Sequence, residues 1–233
     1  MGVKIAIDAG HGLYTAGKRC MKKLDSKETR EWALNDRIAD KLEKSLKAYD
    51  CQVLRVDDTT GLIDVSLANR TKKANNWGAD IYISIHHNAG VKGGSGGGTQ
   101  VYYYSSKAER KTQATKLYNA IVNKTKLVGN RAQKVIKHAY AVLKSSNMSA
   151  FLIENGYMDS SVDVPIILSE AHADQTAQGI LNFLVDELKL TKVKSDNGIY
   201  KVQCGVFENK ANADALKARL EADGYEAVVI SGS

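Results

Sequence analysis

The stretch that most constrains this chain is Ile81-Tyr-Ile-Ser-Ile-His86-His87-Asn88-Ala89-Gly90, an apolar run that ends in two histidines, an asparagine and a glycine. Its β-branched and aromatic residues predict a buried strand, which Gly90 and the glycine cluster at 93–98 stop abruptly. In an open α/β sheet, ligands bind at the carboxyl ends of the strands. A strand that delivers imidazoles to that end places them where chemistry is usually done, and the rest of the chain must supply the groups that meet them there.

Strand and helix patterns alternate through most of the 233 residues. Residues 3–8 and 51–56 read as strands. Residues 28–49 read as a helix, with Leu34, Ile38, Leu42 and Leu46 on one face, and 67–77 as another, closed by Gly78. Beyond the central strand come a strand at 99–104, a helix at 108–123, a short strand at 140–144 and an apolar strand at 150–157. Pro165 then opens a long helix to about 188. This rhythm predicts an α/β fold, a single twisted, mostly parallel sheet flanked by helices. The glycine cluster lacks a phosphate-loop pattern and leads into a strand rather than a helix, so it reads as a flexible loop beside the site.

Polar groups gather at the element ends. His11 follows the first strand between Gly10 and Gly12, and glycines on both sides allow a sharp turn that leaves the imidazole exposed. Glu28 and Glu31 lie in the first turn of the first long helix, and the residues alone do not choose between them as a cation-facing acid. Glu154 ends the strand Ala150-Phe-Leu-Ile-Glu154 just before Asn-Gly. Two imidazoles and one carboxylate suit a zinc ion with a fourth position open to water, and a nearby glutamate suits proton transfer. That set describes hydrolysis of an amide or ester.

The formal charge of +7 lies entirely before Thr191, because the residues from there on carry six Lys/Arg against six Asp/Glu. A basic surface steers a protein toward polyanions, including anionic cell-wall polymers. No Lys/Arg block is interleaved with aromatics, which argues against nucleic acid as a partner. Cys20, Cys51 and Cys204 are too few and too scattered for a disulfide framework or a thiolate zinc site. No signal peptide or membrane span can be drawn, so membrane insertion is not expected.

Four ordered motifs carry a resemblance. They are Ile7-Asp-Ala-Gly-His11-Gly, Glu31-Trp-Ala-Leu-Asn35, the run from Asn69-Arg-Thr through Ala74-Asn75 into Ile83-Ser-Ile-His86-His-Asn88, and Leu152-Ile-Glu154-Asn-Gly-Tyr157. Together, over about residues 3–188, they resemble the zinc-dependent N-acetylmuramoyl-L-alanine amidases of the amidase type 3 family. The resemblance implies that His11, Glu31 and His86 bind Zn2+, that Glu154 is the catalytic acid/base, and that the substrate is peptidoglycan. It favours Glu31 over Glu28 by its spacing to Asn35, and His86 over His87 because the family's ligand directly follows Ser-Ile. Ala9 and Ser149 stand where the family commonly has proline, and Ala141 where it often has a polar residue before Val-Leu.

The pattern changes after residue 190. We expect a catalytic domain at 1–190, a linker at 191–197 and a small βαβ segment at 198–233, with strands at 199–207 and 225–230 around a helix at 211–222. The tail resembles half of a sporulation-related (SPOR) peptidoglycan-binding repeat, too small to bury its own core and expected to bind weakly or not at all. The whole reads as a peptidoglycan hydrolase, an endolysin or autolysin made in the cytoplasm and acting on the wall after release. The competing readings are a non-catalytic wall-binding protein and a zinc peptidase acting on free peptides.

Overall fold

The structure is a computed structural model that describes residues 2–193 and 202–231. The chain divides into two units, residues 1–193 and 194–233. In the first, strands β1 (Val3–Ala9), β2 (Cys51–Arg55), β3 (Ile81–Asn88), β4 (Thr99–Tyr103), β5 (Val135–Lys137) and β6 (Ser149–Tyr157) form one sheet in the order β2-β1-β3-β6-β4-β5. All neighbours are parallel except β4 and β6, which run antiparallel. The mostly parallel α/β sheet expected from the sequence is therefore present.

The pleat sorts side chains to two faces. On one, Ile5, Ile7, Ile81, Ile83, Ile85, Phe151 and Ile153 form the larger core with helices α1 (Glu31–Leu46), α3 (Ala108–Thr125) and α6 (Glu170–Leu188). Each buried Leu or Ile there, such as Ile38 and Leu42, contributes about 1.5–3 kcal/mol. On the other face, Ala6, Tyr82, Ala150 and Leu152 pack under α2 (Leu67–Trp77) and α4 (Ala141–Lys144). This second layer is thin, and it leaves the carboxyl ends of β3 and β6 open on that side.

The connection after β1 leads through α1 to β2 on one side, whereas β3 returns to the other side of β1. The strand order thus reverses between β1 and β3, and the crevice at such a switch point is the usual ligand site of an open α/β sheet.

Several expectations are corrected. Residues 140–144 form the single helical turn α4 rather than a strand. A short apolar run does not distinguish the two, and Val142 and Leu143 bury equally well from a helix. The short strand β5 lies earlier, at Val135–Lys137. The helix expected from Pro165 is two, α5 (Asp163–Ile167) and α6, divided by Ser169, whose hydroxyl accepts the His172 N–H at 3.1 Å and restarts the helix. The glycine-rich loop is tied down: Asp159 Oδ2 accepts the N–H groups of Gly90, Val91 and Lys92, and Asp163 Oδ2 accepts that of Gly98.

Residues 191–193, expected to begin a linker, are bonded to the first unit. Asp50 N donates to the Thr191 carbonyl at 2.8 Å and Val193 N to that of Ala48 at 2.9 Å. The remaining linker residues, 194–197, and the start of the expected strand at 199–201 lie outside the described residues. In the second unit, α7 (Lys210–Ala222) matches the expected helix. Residues 202–207 and 225–230 form no strand, so the βαβ expectation is corrected to a helix among the described residues. Val202, Val206, Val228 and Ile230 are exposed, as befits a segment too short to bury a core.

Candidate metal centre

β1 and β3 end side by side, and their last residues build the site. His11 adopts a left-handed backbone with φ of 68°, uncommon for a residue with a side chain and costing about 1 kcal/mol. Its surroundings enforce it. Buried Arg70, on α2, donates to the carbonyls of Ala9 and His11 at 2.8 Å each, and Asn35 Nδ2 donates to the Gly10 carbonyl at 3.1 Å. The strained residue is thus the histidine and not its flanking glycines. Gly10 serves a different purpose, because a Cβ there would overlap the His86 ring.

Glu31, at the start of α1, points its buried carboxylate between the two histidines. His11 Nε2 lies 3.3 Å and His86 Nδ1 3.1 Å from Glu31 Oε1. The two rings meet edge to face, with centroids 4.9 Å apart. One ligand atom from each of His11, Glu31 and His86 lies within 4.8 Å of the other two, which among the described residues is the only such metal-ligand cluster. Glu28 stands apart, paired with Arg19 at 3.1 Å.

The electrostatics follow from burial and charge. Burial alone would raise Glu31, but hydrogen bonds and charge from His11 and His86 outweigh it and hold the carboxyl well below the usual carboxylate range. Burial likewise works against a protonated His86, and the Glu31 carboxylate outweighs it, pushing His86 up. Glu31 Oε2 is buried without a hydrogen-bond partner, and Lys18 Nζ lies 3.7 Å from it. Two imidazoles around a carboxylate with an unspent oxygen make a donor set that fits zinc with its fourth position open.

Glu154 sits opposite His86 in the parallel register of β6 against β3, so both side chains leave the same face of the sheet. Its Oε2 is buried without a partner, and burial raises its pKa well above the ordinary carboxylate range. His87 has the opposite phase. It is buried on the α1 side with Nδ1 2.8 Å from Asn35 Oδ1, and burial holds it neutral, with its pKa pushed down to about 3. Its ring therefore supports Asn35. A cleft of about 570 Å³ is lined by His11, Lys18, His86, Tyr140 and Glu154, and a hollow of about 340 Å³ beyond it by Asp64, Ser66 and Arg70. The two share His11, Leu67 and His86.

Sequence reasoning named no role for Lys18 or for the network under His11. In that network Asp8 accepts from Arg70, from Tyr82 at 2.9 Å and from Ser84 at 2.8 Å. The available signal was phase: Asp8, Tyr82 and Ser84 occupy the same face of adjacent strands.

Residues 5–186 match the family described as N-acetylmuramoyl-L-alanine amidase, and residues 196–233 match the SPOR domain. Over 228 residues the chain is 34% identical to the N-acetylmuramoyl-L-alanine amidase CwlM of Bacillus licheniformis, covering 98% of this chain and 85% of that one. It is equally similar, 34% over 228 residues, to the sporulation-specific N-acetylmuramoyl-L-alanine amidase of Bacillus subtilis strain 168, covering 98% and 84% of the two chains. The crystal structure of the N-acetylmuramoyl-L-alanine amidase from Clostridium difficile 630 superimposes with a TM-score of 0.72 at 30% identity, over 81% of this chain and 97% of that one. With that match spanning most of its length, this chain belongs to the N-acetylmuramoyl-L-alanine amidase family.

Proposed function

We propose that this chain hydrolyses the amide between N-acetylmuramic acid and the L-alanine of the peptidoglycan stem, with zinc held by His11, Glu31 and His86. The observation that carries the reading is the meeting of those three side chains at the sheet's switch point, one strand away from Glu154. A bound zinc ion supplies Lewis acidity, polarising the scissile carbonyl and bringing the pKa of a water toward neutrality. The chain's own residues supply the rest.

Glu154 Oε2, buried and unpartnered, takes a proton from the attacking water and returns it to the nitrogen of the leaving L-alanine. The raised pKa of this carboxyl suits an acid that must hold the proton between the two transfers. Lys18 offsets the Glu31 charge at Oε2, the oxygen that the histidines leave unpaired. Asn35 and Arg70 hold the backbone that carries His11. No helix among the described residues is long and apolar enough to cross a membrane. The SPOR match supports the tail as a peptidoglycan-binding segment.

Digestion of purified sacculi tests the reaction. It is expected to release new L-alanine amino termini without new reducing sugar ends. Reducing ends without amino termini, or cleavage of free peptides alone, would contradict it.

A further inference from the structure

We propose that Arg131 selects acidic stem peptides, by binding the free α-carboxylate of the second stem residue. The inference rests on the amidase reading and names the substrate that the same cleft prefers. A peptidoglycan stem continues from L-alanine to a D-glutamate joined through its γ-carboxyl, and the α-carboxyl of that residue is either free or amidated. Whether the cleft distinguishes the two depends on a cation within reach of it.

Arg131 is exposed, with its guanidinium carbon 5.5 Å from the centroid of the Tyr157 ring. Among the described residues it makes no ion pair or side-chain hydrogen bond, so its planar fork of donors is unspent. The neighbouring cations are committed: Lys134 donates to the carbonyls of Val128 and Gly129 at 2.8 and 2.9 Å, and Lys18 lies against Glu31.

The mount of Arg131 is fixed. Asn130 N donates to the Gly97 carbonyl at 3.2 Å, and Gly97 N donates to Asn130 Oδ1 at 3.1 Å. At Gly129 the two loops cross so closely that a Cβ would overlap the Gly97 backbone. A guanidinium laid on an aromatic ring and rooted in a clamped loop loses less freedom on binding than a loose surface arginine.

The ring beneath Arg131 is tied to the edge of the cleft. The Tyr157 hydroxyl donates to Gln100 Oε1 at 2.6 Å, and Gln100 is the antiparallel partner of Glu154. Asn88, which lines the cleft, donates to the same Gln100 oxygen at 3.5 Å. Neighbouring strands lie about 4.8 Å apart, so Gln100 stands one strand past Glu154 and roughly 10 Å past His86. An extended peptide advances roughly 3.5 Å per residue. A scissile bond between His86 and Glu154, with its stem running across β6 toward β4, carries the second residue's carboxyl toward the exposed Arg131 guanidinium over the buried Tyr157 ring. There a guanidinium fork pairs with a carboxylate through two charge-assisted bonds, which a carboxamide cannot reproduce.

The test uses the full zinc-loaded chain and two soluble substrates, N-acetylmuramoyl-L-Ala-γ-D-Glu-L-Lys and its α-carboxamide counterpart. Wild type is expected to favour the carboxylate by about two- to fivefold in kcat/KM, mostly through KM. Arg131→Ala removes that preference while leaving the carboxamide reaction, zinc content and Tm unchanged, and Arg131→Lys retains part of it. Equal rates on both substrates with wild type, or an equal loss on both with Arg131→Ala, would overturn the assignment while leaving the amidase reading intact. Wild type that cleaves neither substrate would overturn the amidase reading and the selectivity with it.

Discussion

Glu154→Gln is expected to lose about a thousandfold in kcat while keeping its zinc, its fold and its affinity for wall fragments. The amide matches the carboxylate in shape, so the packing around β6 survives. What disappears is the oxygen that accepts a proton. That oxygen is now buried and without a partner, beside His86. A carboxyl in such a place raises the cost of folding, because burial disfavours its charged form. The glutamine variant is accordingly expected to melt no lower than wild type, which separates lost chemistry from lost structure. The checks are the rate of L-alanine amino-terminus release, metal content and Tm on one preparation. Turnover within tenfold of wild type would remove Glu154 from its proposed role.

Arg70→Leu is expected to destabilise the first unit by about 3–5 kcal/mol. The buried guanidinium donates to Asp8, to the carbonyls of Ala9, His11 and Val65, and to Asp64. Leucine fills most of the volume but leaves Asp8 charged and buried with only Tyr82 and Ser84 as partners. It also frees the carbonyl that holds His11 in its left-handed conformation. In a domain of this size the loss lowers Tm by roughly 10 °C or more. Adding Asp8→Asn is expected to recover much of it, because the buried charge then disappears with its partner. Denaturant titration of the two variants and wild type measures this, and a single-variant loss below about 1 kcal/mol would contradict the argument.

Much of this was legible in the sequence because period and phase are local properties. The alternation in Ile81–Asn88 places Tyr82, Ser84, His86 and Asn88 on one face, and the strand ending at Glu154 repeats the design. His86 and His87 therefore face opposite ways, which the pleat alone dictates. The boundaries of α2 were readable as well, since Gly78 terminates it.

What was hidden depends on partners distant in the chain. Arg70 reads as one cation on a helix until the fold brings Asp8, 62 positions away, against it. The glycine-rich loop reads as loose because its tethers, Asp159 and Asp163, come more than 60 positions later. The single turn α4 and the three-residue β5 are too short to show any period. In each case the structure-determining contact was tertiary, and local propensity had nothing to say about it.

The central claim is that residues 11, 31 and 86 jointly hold one zinc ion, and metal analysis of purified protein tests it most directly. The account predicts about one zinc per wild-type chain, the same for Glu154→Gln, and almost none for His86→Ala purified in the same way. Zinc retained at full stoichiometry by a folded His86→Ala protein, or a wild-type chain that takes up none when zinc is supplied, would contradict it.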